Sequence, residues 1–197
     1  MKKVFCIAML IAGCQLPTEL AAQKWHSLPN PVIAPYHTMP VGVGGTVFVL
    51  KTLNNKLYIG GGFGGGCSPS DDYPFGNGIA TYDGINWDSL GRGLSGWVRT
   101  VEYYNGEFYA GGDFSYACSG KFWPDPPGIY NTEYLAKWNG IGPTWLPVDS
   151  PTPNRSILML KHKGDLYVGG NTAFSSVGGV SCSHIVRYNG LTWDNMQ

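Results

Sequence analysis

Short apolar runs recur along this chain in pairs, each pair divided by two residues that accept a left-handed backbone. Val47-Phe48-Val49-Leu50 and Leu57-Tyr58-Ile59 flank Asn54-Asn55. Val98 to Val101 and Phe108-Tyr109-Ala110 flank Asn105-Gly106. Ile157 to Leu160 and Leu166-Tyr167-Val168 flank Lys163-Gly164. Short apolar runs around such breaks predict β-hairpins. Each tyrosine leads into a glycine pair, Gly60-Gly61, Gly111-Gly112 or Gly169-Gly170. Paired glycines where the second strand ends predict a bulge or a close backbone approach.

A second signature follows each hairpin after a loop of variable length. Ile79-Ala80-Thr81-Tyr82-Asp83-Gly84 leads to Trp87, Leu135-Ala136-Lys137-Trp138-Asn139-Gly140 to Trp145, and Ile185-Val186-Arg187-Tyr188-Asn189-Gly190 to Trp193. The Asp-Gly and Asn-Gly pairs predict a second hairpin of the same kind, giving four strands per repeat in an up-and-down meander. The Tyr or Trp of the third strand and the Trp of the fourth are anchors for packing between neighbouring sheets. Tyr58, Tyr109 and Tyr167 recur after 51 and then 58 residues. Three coincident matches over several residues are the mark of a repeat architecture.

One four-stranded sheet leaves apolar faces bare, and stacking successive sheets about an axis covers them. The fold expected is therefore all-β, a partial, open β-propeller of three four-stranded antiparallel blades. The matches resemble kelch and galactose-oxidase blades. They resemble more closely the LYxGGxF … IAxYDGxxW repeats of exported Bacteroidetes proteins. The resemblance spans residues 46–196 and implies a fold and a place outside the cell, since such repeats serve many functions. Sialidase-type boxes place Asp, Gly and Trp as D-x-G-x-x-W, whereas Asp83 and Gly84 are adjacent, so that chemistry is not carried over. The division expected is a signal peptide at 1–22, an N-terminal strand and linker at 23–45, and blades at 46–96, 97–154 and 155–197. Three blades fall short of the four to eight of closed propellers. An open stack, a truncated product and one part of an assembly all fit, and bare faces predict self-association.

Composition narrows the field. Charged residues make up 13% of the chain and aromatics 14%, with 29 glycines and a formal net charge of zero. That balance suits short strands and Gly-rich turns, not helices. A phosphate-binding basic face is absent, so nucleic acid is not an expected partner. Past the N-terminus no apolar run is long enough to span a membrane. Lys2, Lys3 and the apolar stretch Val4 to Gly13 read as an export signal. Cleavage after Ala22 competes with a lipobox reading of Ile11-Ala12-Gly13-Cys14, in which Cys14 is lipidated. Both place the mature chain outside the cytoplasm, secreted or attached to the outer surface.

Few residues are left for chemistry. The four histidines, His26, His37, His162 and His184, do not form a metal-ligand spacing. Galactose oxidase works with copper held by Tyr and His, and no motif here justifies assigning those roles. The Asp71-Asp72 pair falls short of the six to eight oxygens of a calcium site and reads as a solvated loop. No cofactor and no catalytic residue are expected. Cys67, Cys118 and Cys182 each lie in the loop between the second and third strands of a repeat. A disulfide between Cys67 and Cys118 is the first candidate and one between Cys118 and Cys182 the second, and the odd count leaves one unpaired thiol or an intermolecular bond. The same loops carry Tyr73, Phe75, Trp123 and Tyr130, aromatics suited either to stacking on a ligand or to a local mini-core. The function expected is a non-catalytic exported scaffold for an unidentified protein or glycan ligand, either complete or a fragment of a longer propeller protein. The alternative is a carbohydrate-active enzyme or oxidase of propeller fold whose active residues lie in blades absent from this chain.

Overall fold

In the computed structural model, the described residues are 43–64, 77–91, 93–118, 130–140, 145–148, 157–170 and 184–196. They hold three four-stranded antiparallel sheets and no helix. Sheet 1 contains β1 (Gly45–Leu53), β2 (Lys56–Phe63), β3 (Ile79–Tyr82) and β4 (Trp87–Ser89), paired in chain order. Sheet 2 contains β5 (Trp97–Tyr104) and β6 (Glu107–Asp113), then β9 (Leu135–Trp138) and β10 (Leu146–Pro147). Its chain detours through a two-stranded pair, β7 (Tyr116–Ala117) and β8 (Tyr130–Asn131), which the repeat pattern did not foretell. Sheet 3 contains β11 (Ile157–His162), β12 (Asp165–Gly170), β13 (Ile185–Tyr188) and β14 (Trp193–Asp194), again in chain order.

The first hairpin of every sheet turns where the sequence placed it. Asn54 and Asn55, Asn105 and Gly106, and Lys163 and Gly164 all have positive φ, the backbone that matches the right-handed twist of the flanking strands. The second hairpins are a different device and not the same kind as expected. Only the glycine has positive φ, at Gly84, Gly140 and Gly190. In sheet 1 the Asp83 carboxylate accepts the N–H groups of Ile85 and Asn86 at 2.8 and 2.6 Å. In sheet 3 the Asn189 side-chain oxygen accepts those of Leu191 and Thr192 at 2.9 and 2.8 Å. A short polar side chain thus closes a wider turn around its own backbone. His162 is the last residue of β11 and pairs with Asp165.

The glycine pairs mark bulges in two sheets of three. Register shifts between Val47 and Val49 in β1, opposite Gly61 and Gly60. It shifts again between Val98 and Thr100 in β5, opposite Gly112 and Gly111. In sheet 3 the pairing from Ile157 to His162 runs without a shift.

The sheets pack face to face. One face of each carries the side chains on either side of the repeated tyrosine: Leu57 and Ile59, Phe108 and Ala110, Leu166 and Val168. The opposite face carries Tyr58, Tyr109 or Tyr167, as strand alternation requires. Tyr58 stacks on Phe108 with ring centres 4.0 Å apart. Around that pair, Val49 and Leu53 of β1 meet Val98, Val101, Ala110 and Ala136 of sheet 2 and Trp145, which lies just before β10 and not in the fourth strand as expected. On the other side of sheet 2, Tyr104, Tyr109 and Leu135 meet Leu166, Val168, Val186 and Trp193 of sheet 3. A third cluster, Ile59, Phe63, Ala80 and Tyr82, fills the outward face of sheet 1, with Val43 against it.

Candidate functional site

The two bulges build the one exposed group of aromatic and charged side chains that spans two of the described sheets. A bulge leaves one residue unpaired and re-aims its side chain. The unpaired residues are Phe48 in β1 and Arg99 in β5. Both turn toward Trp97, the first residue of β5. The Phe48 and Trp97 ring centres lie 5.7 Å apart. The Arg99 guanidinium sits 5.1 Å from the Phe48 ring centre and 5.3 Å from that of Trp97, within cation–π range of both. Asp113, at the end of β6, fixes the guanidinium with Nε and Nη2 at 2.7 and 2.6 Å from one carboxylate oxygen.

Gly62 makes room for this group. A Cβ there would stand 3.0 Å from the Trp97 indole. Trp97 keeps 51% of its surface exposed and Phe48 38%, although both rings rest on a rigid frame. The result is a shelf with two apolar ring faces beside a guanidinium and a carboxylate. Such a surface can stack on the C–H face of a sugar and hydrogen-bond its hydroxyls.

A second concavity is weaker. An open cleft of about 470 Å³ lies at the turn end of sheet 1, lined by Asn54, Asn55, Lys56, Tyr82 and Asp83 among others. Its polar groups serve their own turns. The Asn86 and Ile85 N–H groups hold the Asp83 carboxyl below its ordinary range, and the Tyr82 hydroxyl donates to the Gly84 carbonyl at 2.7 Å.

Most residues singled out from the sequence fall elsewhere. Cys14, Cys67, Tyr73, Phe75 and Trp123 lie outside the described residues, as do the signal segment, Asp71-Asp72, His26, His37 and Cys182. Tyr130 lies in β8, where its backbone pairs with Ala117. Cys118 is buried and disulfide-bonded. It sits at the junction of the first two sheets, where its N–H bonds the Gly93 carbonyl and the Asn77 amide approaches its sulfur at 3.9 Å. His162 meets the edge of the Tyr167 ring at 6.0 Å. Among the described residues no three His, Cys, Asp or Glu side chains gather as a metal site. No helix there is long and apolar enough to cross a membrane.

Sequence reasoning looked for ligand contacts in the long loops and passed over Trp97 and Arg99. A signal was present. The glycine pairs announced the bulges, and a bulge beside an aromatic is a place where a side chain is re-aimed. Compared with known proteins, the chain matches no family, no curated protein and no solved structure.

Proposed function

We propose that this protein is a non-catalytic exported scaffold of propeller-type blades that binds a protein or glycan ligand, with a glycan the better fit to the shelf. The observation that carries it is the pair of β-bulges that turn Phe48 and Arg99 out of their ladders onto the exposed Trp97 ring. The indole rests over Gly62, against Phe48 and Arg99, and half of its surface stays open. Its ring offers a sugar-sized apolar face, and the neighbouring Arg99–Asp113 pair offers both donors and acceptors. The disulfide at Cys118 supports a place outside the cytoplasm, where such bonds form and persist.

A glycan array followed by calorimetric titration tests the proposal. The wild-type chain is expected to retain a defined set of glycans. Trp97→Ala is expected to weaken binding about tenfold, the equivalent of about 1.4 kcal/mol of stacking, with an unchanged far-ultraviolet spectrum. Arg99→Gln is expected to alter which glycans are retained. Binding left intact in Trp97→Ala, or no glycan bound by the wild type, sinks the glycan reading.

A further inference from the structure

The three sheets stack in one sense, and that order leaves a single tyrosine face bare. The tyrosine face of sheet 1 is covered by sheet 2, and that of sheet 2 by sheet 3. The corresponding face of sheet 3 carries Leu158, Leu160, Tyr167, Ile185 and Arg187, as the register Leu160 to Tyr167 to Arg187 and Leu158 to Gly169 to Ile185 requires. Leu158 is 76% exposed, Leu160 62% and Ile185 44%. No described sheet lies over them.

The residue types on this face run against their exposure. At the repeat positions of Leu158 and Leu160, sheet 2 has Thr100 and Glu102, both buried. The sheet with the covered face is the more polar there, and the sheet with the bare face the more apolar. Scattered exposed leucines need no explanation, but a contiguous apolar patch on a flat sheet marks an interaction site. The charge at the patch is already neutralised. Arg187 is paired with both Asp165 and Asp194, so covering it strands no lone ion.

We infer that this face is where a second copy of the chain docks, tyrosine face to tyrosine face, in a two-fold dimer. The face continues a series of two sheet-on-sheet interfaces already formed in the molecule. The opposite end of the stack is the more filled of the two. On the outward face of sheet 1, Ile59, Phe63, Ala80 and Tyr82 are buried, and Leu50, opposite Ile59 on β1, is the side chain left 61% exposed there. A head-to-tail contact would have to use that largely filled face, whereas an isologous contact pairs the open face with itself and closes the assembly. The inference does not depend on glycan binding, because the Trp97 shelf lies on the junction of sheets 1 and 2.

Analytical ultracentrifugation over a wide concentration range tests it. The wild-type chain is expected to sediment as a concentration-dependent dimer. Leu158→Ser/Leu160→Ser is expected to sediment as a monomer at every concentration, with an unchanged near-ultraviolet spectrum. Ile185→Lys, a change at a third exposed position, serves the same end if the double variant does not fold. Ile85→Ser, on a turn of sheet 1 and 79% exposed, is expected to remain dimeric. A monomeric wild type, a dimer that survives both face variants, or association that grows beyond two chains overturns the inference.

Discussion

The two junctions between sheets follow one plan but are filled with different chemistry. Between sheets 1 and 2 the buried side chains are almost wholly apolar, from Ile79 and Val98 through Phe108 to Trp145. Leu94 and Phe114, with Ala117 of β7, extend that core past the ends of the four-stranded sheets. The Trp145 indole N–H is satisfied by the Leu90 carbonyl at 2.9 Å, and Lys51 reaches across to Glu102 at 2.7 Å. Between sheets 2 and 3 the core rests on tyrosines. Tyr104 and Tyr109 face Leu166, Val168 and Trp193, with Tyr188 alongside. Their hydroxyls need polar company, which Tyr109 finds in Glu107 at 3.1 Å and Tyr188 in the Gly190 carbonyl at 3.0 Å. The first junction is sealed by apolar loops and an inter-sheet ion pair. The second draws Val148 and Tyr134 from just outside the strands and depends on phenols staying neutral. Sheet 3 should therefore be the part that opens first, since local stability follows buried apolar contact.

The sharpest way to break that comparison is to empty one junction at a time. Trp145 is fully buried, and Trp145→Ala should cost about 3–5 kcal/mol through lost burial and the cavity left behind. Sheets 1 and 2 share that core, so both should lose amide protection together. Leu166→Ala should cost about 2–5 kcal/mol by the same mechanism, but with the loss confined to sheet 3. Hydrogen exchange read by mass spectrometry follows each sheet separately. Equal loosening of all three sheets by Leu166→Ala would mean that the junctions are one cooperative unit.

A finer probe uses the same repeat position in covered and bare settings. Gly60 and Gly169 are both the first glycine of their pair. A Cβ on Gly60 would come within 2.6 Å of a Val49 methyl and 2.8 Å of a Val98 methyl on the next sheet. On Gly169 the nearest atom would be the His184 carbonyl oxygen at 3.7 Å, an ordinary contact. Gly60→Ala should therefore destabilise by about 1–3 kcal/mol through overpacking, and Gly169→Ala, made in the monomeric Leu158→Ser/Leu160→Ser background, by less than about 0.5 kcal/mol, as at open surface positions. Denaturant midpoints of the two variants, at constant slope, give the difference. A Gly169→Ala loss in that background as large as that of Gly60→Ala would show that the tyrosine face of sheet 3 is covered within one chain.

The contrast also separates what was legible in the sequence from what was not. Strand order within each repeat was legible because Asn54-Asn55, Asn105-Gly106 and Lys163-Gly164 have few other uses than a tight left-handed turn. The direction of stacking was not, because Leu57 and Tyr58 are both suitable for burial, and only the neighbouring sheet decides which meets what. The glycine pairs pointed to the bulges. They did not show that the extra residues, Phe48 and Arg99, converge from different sheets on Trp97, since that meeting is 51 residues long-range in sequence. The wide second turns were mistaken for tight ones because Asp83-Gly84 serves either form. There the choice is made by whether the carboxylate is used to cap the N–H groups two and three residues on.

The smallest effect is the most specific to the tyrosine junction. Burial, and then the nearby Glu107 carboxylate, pushes the Tyr109 hydroxyl well above its ordinary value. Burial and then the Asp165 carboxylate do the same for Tyr104. At the first junction burial, and then Tyr103, raises Tyr58. A group whose value is raised on folding contributes stability that is whole below its unfolded value and is lost as pH climbs through the folded one. For these phenols the window opens near pH 10, the ordinary tyrosine value, and each held neutral by the fold then costs about 1.4 kcal/mol per pH unit. Two of the three lie between sheets 2 and 3, so alkaline conditions should release sheet 3 before the pair of sheets behind it. Tyr109→Phe should flatten the fall in stability between pH 10 and 11, with little change in the exchange protection of sheet 1. Thermal melts across that window, read beside hydrogen exchange at each pH, provide the measurement. An unchanged alkaline slope in Tyr109→Phe would move the weak point of the stack away from the tyrosines and onto the bare face of sheet 3.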